Sequence, residues 1–143
     1  MSGTDSNSAE RLIARARASL GAENYRVAIR AGHHDLVADE RPFLGGRDAG
    51  PGPYEYLLSG LGACTAITLR MYAERMGWDL DSVDVSLRFM QGETGQRIDR
   101  TIAVQGELSK EQRARLADIA ERTPVTLTLK TGVEIVTTLG PAG

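Results

Sequence analysis

A single cysteine, Cys64, in 143 residues excludes an internal disulfide framework and leaves the fold to be held by packing. That scarcity fits a reducing compartment, so a cytoplasmic protein is expected. Histidine is almost as rare. His33 and His34 are the only two, adjacent to each other, without the spaced partners that a metal site needs. Gly45-Gly46 precede neither a lysine nor a helical Ser/Thr, so a phosphate-cradling loop is missing. No metal and no cofactor are therefore expected. The formal net charge is -2, which offers no basic surplus for nucleic acid. No apolar stretch precedes a cleavage site, and no apolar run is long enough to cross a membrane. Internal repeats and linkers are also lacking. What remains, 41% hydrophobic and 25% charged residues, is the composition of one ordinary soluble domain.

Against these absences one run stands out. Gly50-Pro51-Gly52-Pro53-Tyr54-Glu55 leads into Tyr56–Met76, which contains Cys64. Pro53 suits the first helical position, where its missing N–H costs nothing. Glu55 then lies in the first turn, where a carboxylate complements the helix dipole. No charged side chain occurs from Tyr56 to Leu69. Leu57, Leu58, Leu61, Ala63, Cys64, Ala66, Ile67 and Leu69 cover all sides of a helical wheel, which predicts burial all round. In so short a chain that cover calls for a second subunit. Gly60 and Gly62 each cost about 1 kcal/mol inside a helix; with Ser59, Ala63 and Ala66 they form a small-residue surface that lets a neighbour approach.

The rest of the chain reads in order. Ala9–Leu20, with Leu12, Ile13, Ala16 and Leu20 at helical spacing and Ser8 as N-cap, predicts an amphipathic surface helix within an N-terminal extension over 1–22. Tyr25–Arg30 and Asp35–Glu40 read as strands around the turn Ala31–His34. Arg41–Gly52 is a glycine-rich loop long enough to carry function. Gly77 stops the long helix and Trp78 packs behind it. Ser82–Met90 alternates Val83, Val85, Leu87 and Phe89 inward, and pairs with a strand in 97–108 that turns Ile102 and Val104 inward. Ser109 and Gln112 form a capping box for a helix with Leu116, Ile119 and Ala120 buried. A helical turn follows over 125–129, then a last strand over Val133–Leu139. This order predicts an α+β class.

Pro53-Tyr54-Glu55-Tyr56-Leu57-Leu58 followed by Leu61-Gly62-Ala63-Cys64-Thr65-Ala66 resembles the signature of the OsmC and organic-hydroperoxide-resistance (Ohr) family, over about residues 24–139. The resemblance implies a single OsmC-like domain over 23–143. It implies an α+β fold with antiparallel sheets around a long central helix, and an intertwined homodimer. It also implies that Cys64 is a peroxidatic thiol reducing small organic hydroperoxides at the expense of an external thiol or dithiol. The substrate would lie against Tyr54, Leu57, Leu61 and Ile67, without nucleic acid or membrane partners. The reactive form of a cysteine is the thiolate, and an ordinary thiol has a pKa near 8.5, so a positive neighbour is needed. The family supplies an arginine held by a glutamate. Glu55 matches the glutamate. The arginine has no motif to mark it; among Arg26, Arg30, Arg41 and Arg47, Arg30 and Arg47 are the candidates.

Two features strain the resemblance. Glu55 and Cys64 are nine residues apart, about 900° of rotation and about 13 Å of rise on one helix. They meet only across a dimer or through an intervening arginine; otherwise Glu55 serves the helix start alone. More seriously, the family's resolving cysteine, followed by Pro-Val, is replaced by Thr123-Pro124-Val125. A threonine cannot form the disulfide. Either Cys64 works with an external reductant, or the protein is a non-catalytic, stress-related relative binding a small apolar ligand.

Overall fold

The structure is a computed structural model and describes residues 9–141. Met1–Ser8, including the expected Ser8 cap, and the last two residues of the C-terminal tail lie outside the described residues. The chain divides into two compact units, Met1–Glu55 and Tyr56–Gly143.

The first unit holds a three-stranded antiparallel sheet in the order β1 (Ala16–Leu20), β2 (Val27–Ala31), β3 (His34–Ala38). The β2–β3 turn is as expected: Ala31 pairs with His34, and Gly32 at φ 60° opens a two-residue connection that favours glycine first. The helix expected over Ala9–Leu20 is not there. Residues 16–20 pair in register with β2, from Ala16 opposite Ala31 to Leu20 opposite Val27. A short amphipathic helix is marginal without a surface to pack on, and here Leu12 and Ile13 are exposed, so the backbone ladder wins. Residues 16–20 thus form one edge of this sheet.

Beyond β3 the chain turns through Pro42–Leu44 around the carboxylate of Asp39. Asp39 Oδ1 accepts from the N–H groups of Glu40 at 2.7 Å and Tyr25 at 3.3 Å, and Oδ2 from Ala49 at 3.1 Å and Arg47 at 3.3 Å. Asp39 is only 3% exposed. Burial pushes its carboxyl up, but the four backbone donors together outweigh burial and hold it below its ordinary value. The glycines of this loop are needed for close approach: a Cβ on Gly46 would meet the Glu40 carbonyl, and one on Gly50 the Val37 carbonyl.

The long helix, α1, is Pro53–Met76, with the bounds expected. Its end follows the chemistry of a left-handed cap. Gly77 adopts φ 73°, its N–H reaches Glu74 O, and Trp78 N–H reaches Ala73 O at 2.8 Å, the paired bonds of a Schellman motif. Trp78 then packs edge-on against Tyr72 with centroids 5.5 Å apart. Burial all round is not found. Leu61, Thr65, Leu69 and Ala73 form one buried stripe at i, i+4 spacing, while Leu57, Ile67 and Met71 are exposed. The uncharged composition reflects several faces, of which this chain covers one.

β4 (Asp79–Gly92) and β5 (Gly95–Glu107) form an antiparallel hairpin, longer at both ends than its alternation predicts. A bulge between Leu80 and Ser82 shifts the inward parity, so that Leu80 on one side and Val83, Val85, Leu87 and Phe89 on the other all face inward. Arg70 donates to the carbonyls of Leu80 and Asp81 at 2.5 and 2.7 Å, fixing this irregular stretch to α1. Gly106, at φ 146°, is required opposite, where a Cβ would meet Asp79 O. Gly62 has a similar role on α1, since a Cβ there would press on Leu87. Gly60 has no neighbour of that kind.

α2 (Lys110–Ala120) carries the expected capping box: Gln112 N–H donates to Ser109 Oγ at 3.0 Å, and Ser109 N–H donates to Gln112 Oε1 at 2.8 Å. Leu116 and Ala120 join Leu69, Ala73 and Leu80 in the core. α3 (Pro124–Thr131) starts at the N-cap Thr123. The last expected strand, Val133–Leu139, is not formed: the segment has no regular secondary structure and joins neither of the sheets described. Alternation alone does not make a strand without a neighbouring edge, and Val133, Ile135, Val136 and Leu139 are all exposed.

Candidate active site around Cys64

Cys64 is half-buried on α1. One residue later Thr65 belongs to the buried stripe, so Cys64 lies at its margin. Its Sγ accepts the N–H of Val125 at 3.4 Å and lies 3.9 Å from Thr68 Oγ1. Val125 is the second residue of α3. Pro124 before it has no N–H, so Val125 provides the first free donor of that helix. The start of a helix carries partial positive charge, and here the Val125 N–H turns it toward the sulfur. The sequence motif Thr123-Pro124-Val125 is thus brought to the cysteine, 61 residues from it in the chain.

Thr123 is fully buried at 0% exposure. Its hydroxyl does not cap α3; it contacts Thr126 Oγ1 at 2.6 Å. Thr126 in turn belongs to a cluster that the sequence reading missed. Arg100, on β5, is 11% exposed. Its Nη1 donates to Thr65 Oγ1 and to Thr126 Oγ1, both at 2.9 Å, and its Nη2 donates to Ala120 O at 3.0 Å. Glu121 lies 3.7 Å from the guanidinium. A hydrogen bond from Lys130 holds the Glu121 carboxyl below its ordinary value, with Arg100 adding to that effect. The signal for Arg100 was available in the sequence. Once Ile102 and Val104 are inward on a strand, Ile98 and Arg100 share their parity, and an arginine on a buried face requires partners.

The other candidates are placed as follows. Glu55 Oε1 accepts the N–H of Gly52 at 2.8 Å, a bond that satisfies the helix start. Arg30 pairs with Asp35 at 2.9 Å and Arg47 with Glu23 at 3.4 Å, all on exposed side chains. These three, with Tyr54, belong to the first unit, and Cys64 to the second. Leu57, Leu61 and Ile67 share the side of α1 that carries Cys64; Leu61 is buried, while Leu57 and Ile67 are open. His33 and His34 stack on each other at the hairpin tip. Among the described residues no cluster of His, Cys, Asp or Glu could hold a metal, and no helix is long and apolar enough to cross a membrane.

No curated protein matches this sequence. Solved structures do share the fold. An OsmC-like protein from Mycoplasma pneumoniae superposes with a TM-score of 0.72 at 21% identity, over 85% of this chain and 89% of that one. An organic hydroperoxide resistance protein OsmC from Legionella pneumophila gives 0.63 at 19% identity, over 85% and 92%. The organic hydroperoxide resistance protein OhrB of Bacillus subtilis gives 0.56 at 23% identity, over 82% and 90%. At these identities the likeness is one of fold, a mixed α+β arrangement of antiparallel sheets and helices. The family model described as OsmC-like protein matches residues 45–138, a span that takes in Cys64, Arg100 and Thr123, and the chain belongs to that family.

Proposed function

We propose that this protein is a cytoplasmic, thiol-dependent reductase of organic hydroperoxides in which Cys64 reacts without an internal resolving cysteine. The observation that carries the reading is the Val125 N–H aimed at Cys64 Sγ from the start of α3, on a side chain that is half open to solvent. The thiolate attacks the outer oxygen of ROOH. The O–O bond breaks, ROH leaves after taking a proton, and Cys64 becomes a sulfenic acid. An external thiol displaces water to give a mixed disulfide, and a second thiol releases Cys64 and a disulfide. The sum is ROOH + 2 R′SH → ROH + H2O + R′SSR′. The open apolar side chains Leu57 and Ile67 favour organic over inorganic peroxide. With Met71 they also provide the apolar surface for a homodimer, in which Glu55 with Arg30 or Arg47 of the first unit would serve as charged partners of the thiol.

The decisive test is stopped-flow reduction of cumene hydroperoxide and of hydrogen peroxide, with lipoamide, dithiothreitol or glutathione as reductant. Organic peroxide should be consumed faster, and Cys64→Ser should be inert. No sulfenic acid on Cys64 after one equivalent of cumene hydroperoxide would end this reading in favour of a non-catalytic binding protein. A monomeric mass by light scattering would remove the dimer. Thr123→Cys tests the position left by the resolving cysteine: loss of both thiols after one equivalent of peroxide, without covalent dimer, is expected. Cys64 driven on to sulfinic acid while the introduced thiol stays free would show that the two positions cannot be bridged.

A further inference from the structure

We propose that Arg100 is the positioning residue of this thiol site: its guanidinium holds α1 and the first turn of α3 in one frame, and so keeps the Val125 N–H aimed at Cys64. The inference rests on Cys64 being the reacting group, and it concerns a residue that does not itself touch the sulfur.

The argument starts from what Arg100 binds. Its neighbours on the inward face of β5 are Ile98, Ile102 and Val104, and across the ladder it faces Leu87. An apolar side chain would fit that company at lower cost, because a guanidinium must be desolvated to sit there. The compensating bonds go to specific places. Thr65 directly follows Cys64, and Thr126 directly follows Val125. One nitrogen, Nη1, reaches both hydroxyls at 2.9 Å. The two residues that make the N–H···S contact are thus each next in sequence to a residue held by the same nitrogen. The second nitrogen holds Ala120 O, the end of α2 from which the chain turns into α3. Arginine suits this task because its planar fork presents several donors at fixed angles, which a lysine cannot do. An N–H···S contact at 3.4 Å is directional and short-ranged, so a drift of about 1 Å at the start of α3 would remove it.

The test measures alkylation of Cys64 by iodoacetamide across pH in the full-length chain. This readout needs no turnover, so it separates failure of this inference from failure of the peroxide reading. Altered access changes the plateau of the pH profile; altered thiolate stabilisation changes its midpoint. Val125→Pro removes the donor at a helix start that tolerates proline. We expect Val125→Pro and Arg100→Met each to lower the rate at pH 7, relative to plateau, about fivefold. Arg100→Lys should fail to restore it. The double variant should be no slower than Val125→Pro alone, because Arg100 acts through that N–H. A double variant in which the two effects multiply, or an Arg100→Met profile like that of the wild type, would overturn the proposal. If Arg100→Met does not fold, Thr126→Val removes one arm of the frame while leaving Thr65 and Ala120 O in place; an unshifted profile there overturns it equally. A wild type that shows these couplings but leaves cumene hydroperoxide intact would sink the proposed reaction and leave the role of Arg100 standing.

Discussion

Each unit of the molecule holds a charged side chain largely withdrawn from water, Asp39 in the first and Arg100 in the second, and the two charges work differently. Asp39 gathers four backbone N–H groups, none more than 14 residues away. It shapes a loop. Arg100 gathers two hydroxyls and a carbonyl at separations of 35, 26 and 20 residues. It ties three helices to a strand. The anion is served by the N–H groups of its own loop and of Tyr25, whereas the cation collects its acceptors from distant elements. Charge reversal also changes the response to acid, since a carboxylate can be neutralised at low pH and a guanidinium cannot.

The strongest way to break the comparison is Arg100→Leu. It removes the charge and takes the Arg100 donors away from the hydroxyls of Thr65 and Thr126 and from the Ala120 carbonyl. We expect a loss of about 3 kcal/mol in urea unfolding. Hydrogen-exchange protection in β4, β5 and α2 should fall, while β1–β3 stay unchanged. Loss spread evenly over both units would show that the two networks are one.

Asp39→Asn is the matching exchange, and it should be confined to 40–52, seen as faster amide exchange at Arg47 and Ala49. The sign follows from the lowered carboxyl pKa. A depressed acid stabilises the fold above its unfolded value, near 3.8, and that contribution is lost as pH falls through the lower folded value. Wild type and Asp39→Asn should therefore differ at neutral pH and converge in acid. A difference that persists at low pH would mean that the carboxylate charge is not what holds the loop. The smallest effect serves as a control: Ser109→Ala removes a helix cap outside both networks and should cost about 1 kcal/mol, without changing Cys64 alkylation or the Arg47 amide.

The two regions also differ in how far the sequence revealed them. α1, the β4–β5 hairpin and the capped α2 follow from local chemistry: Pro53 and Gly77 at the helix ends, alternating side chains, Ser109 with Gln112. These signals hold wherever the element lies. The errors fell where pairing decides. Residues 9–20 have helical spacing, yet five of them join β2; Val133–Leu139 has strand spacing, yet no ladder. At the site, Cys64 and Thr123-Pro124-Val125 were legible from motif. Arg100 was not legible from motif: the resemblance points to Arg26, Arg30, Arg41 and Arg47, all before α1, whereas Arg100 is the odd member of an apolar strand face.

One property of the threonine cluster has a chemical consequence. Arg100 can only donate, so Thr65 and Thr126 receive its protons. Each threonine has a single proton of its own to give. That of Thr65 goes to Leu61 O at 2.7 Å. If every contact is used, that of Thr126 goes to Ala120 O at 3.4 Å, and that of Thr123 to Thr126 at 2.6 Å. The sequence of donors then runs one way and ends on main-chain carbonyls, with no hydroxyl hydrogen left over. This cluster can hold helices in place but has no hydroxyl proton to spare, so in the proposed reaction the alkoxide released from the hydroperoxide would take its proton from outside it.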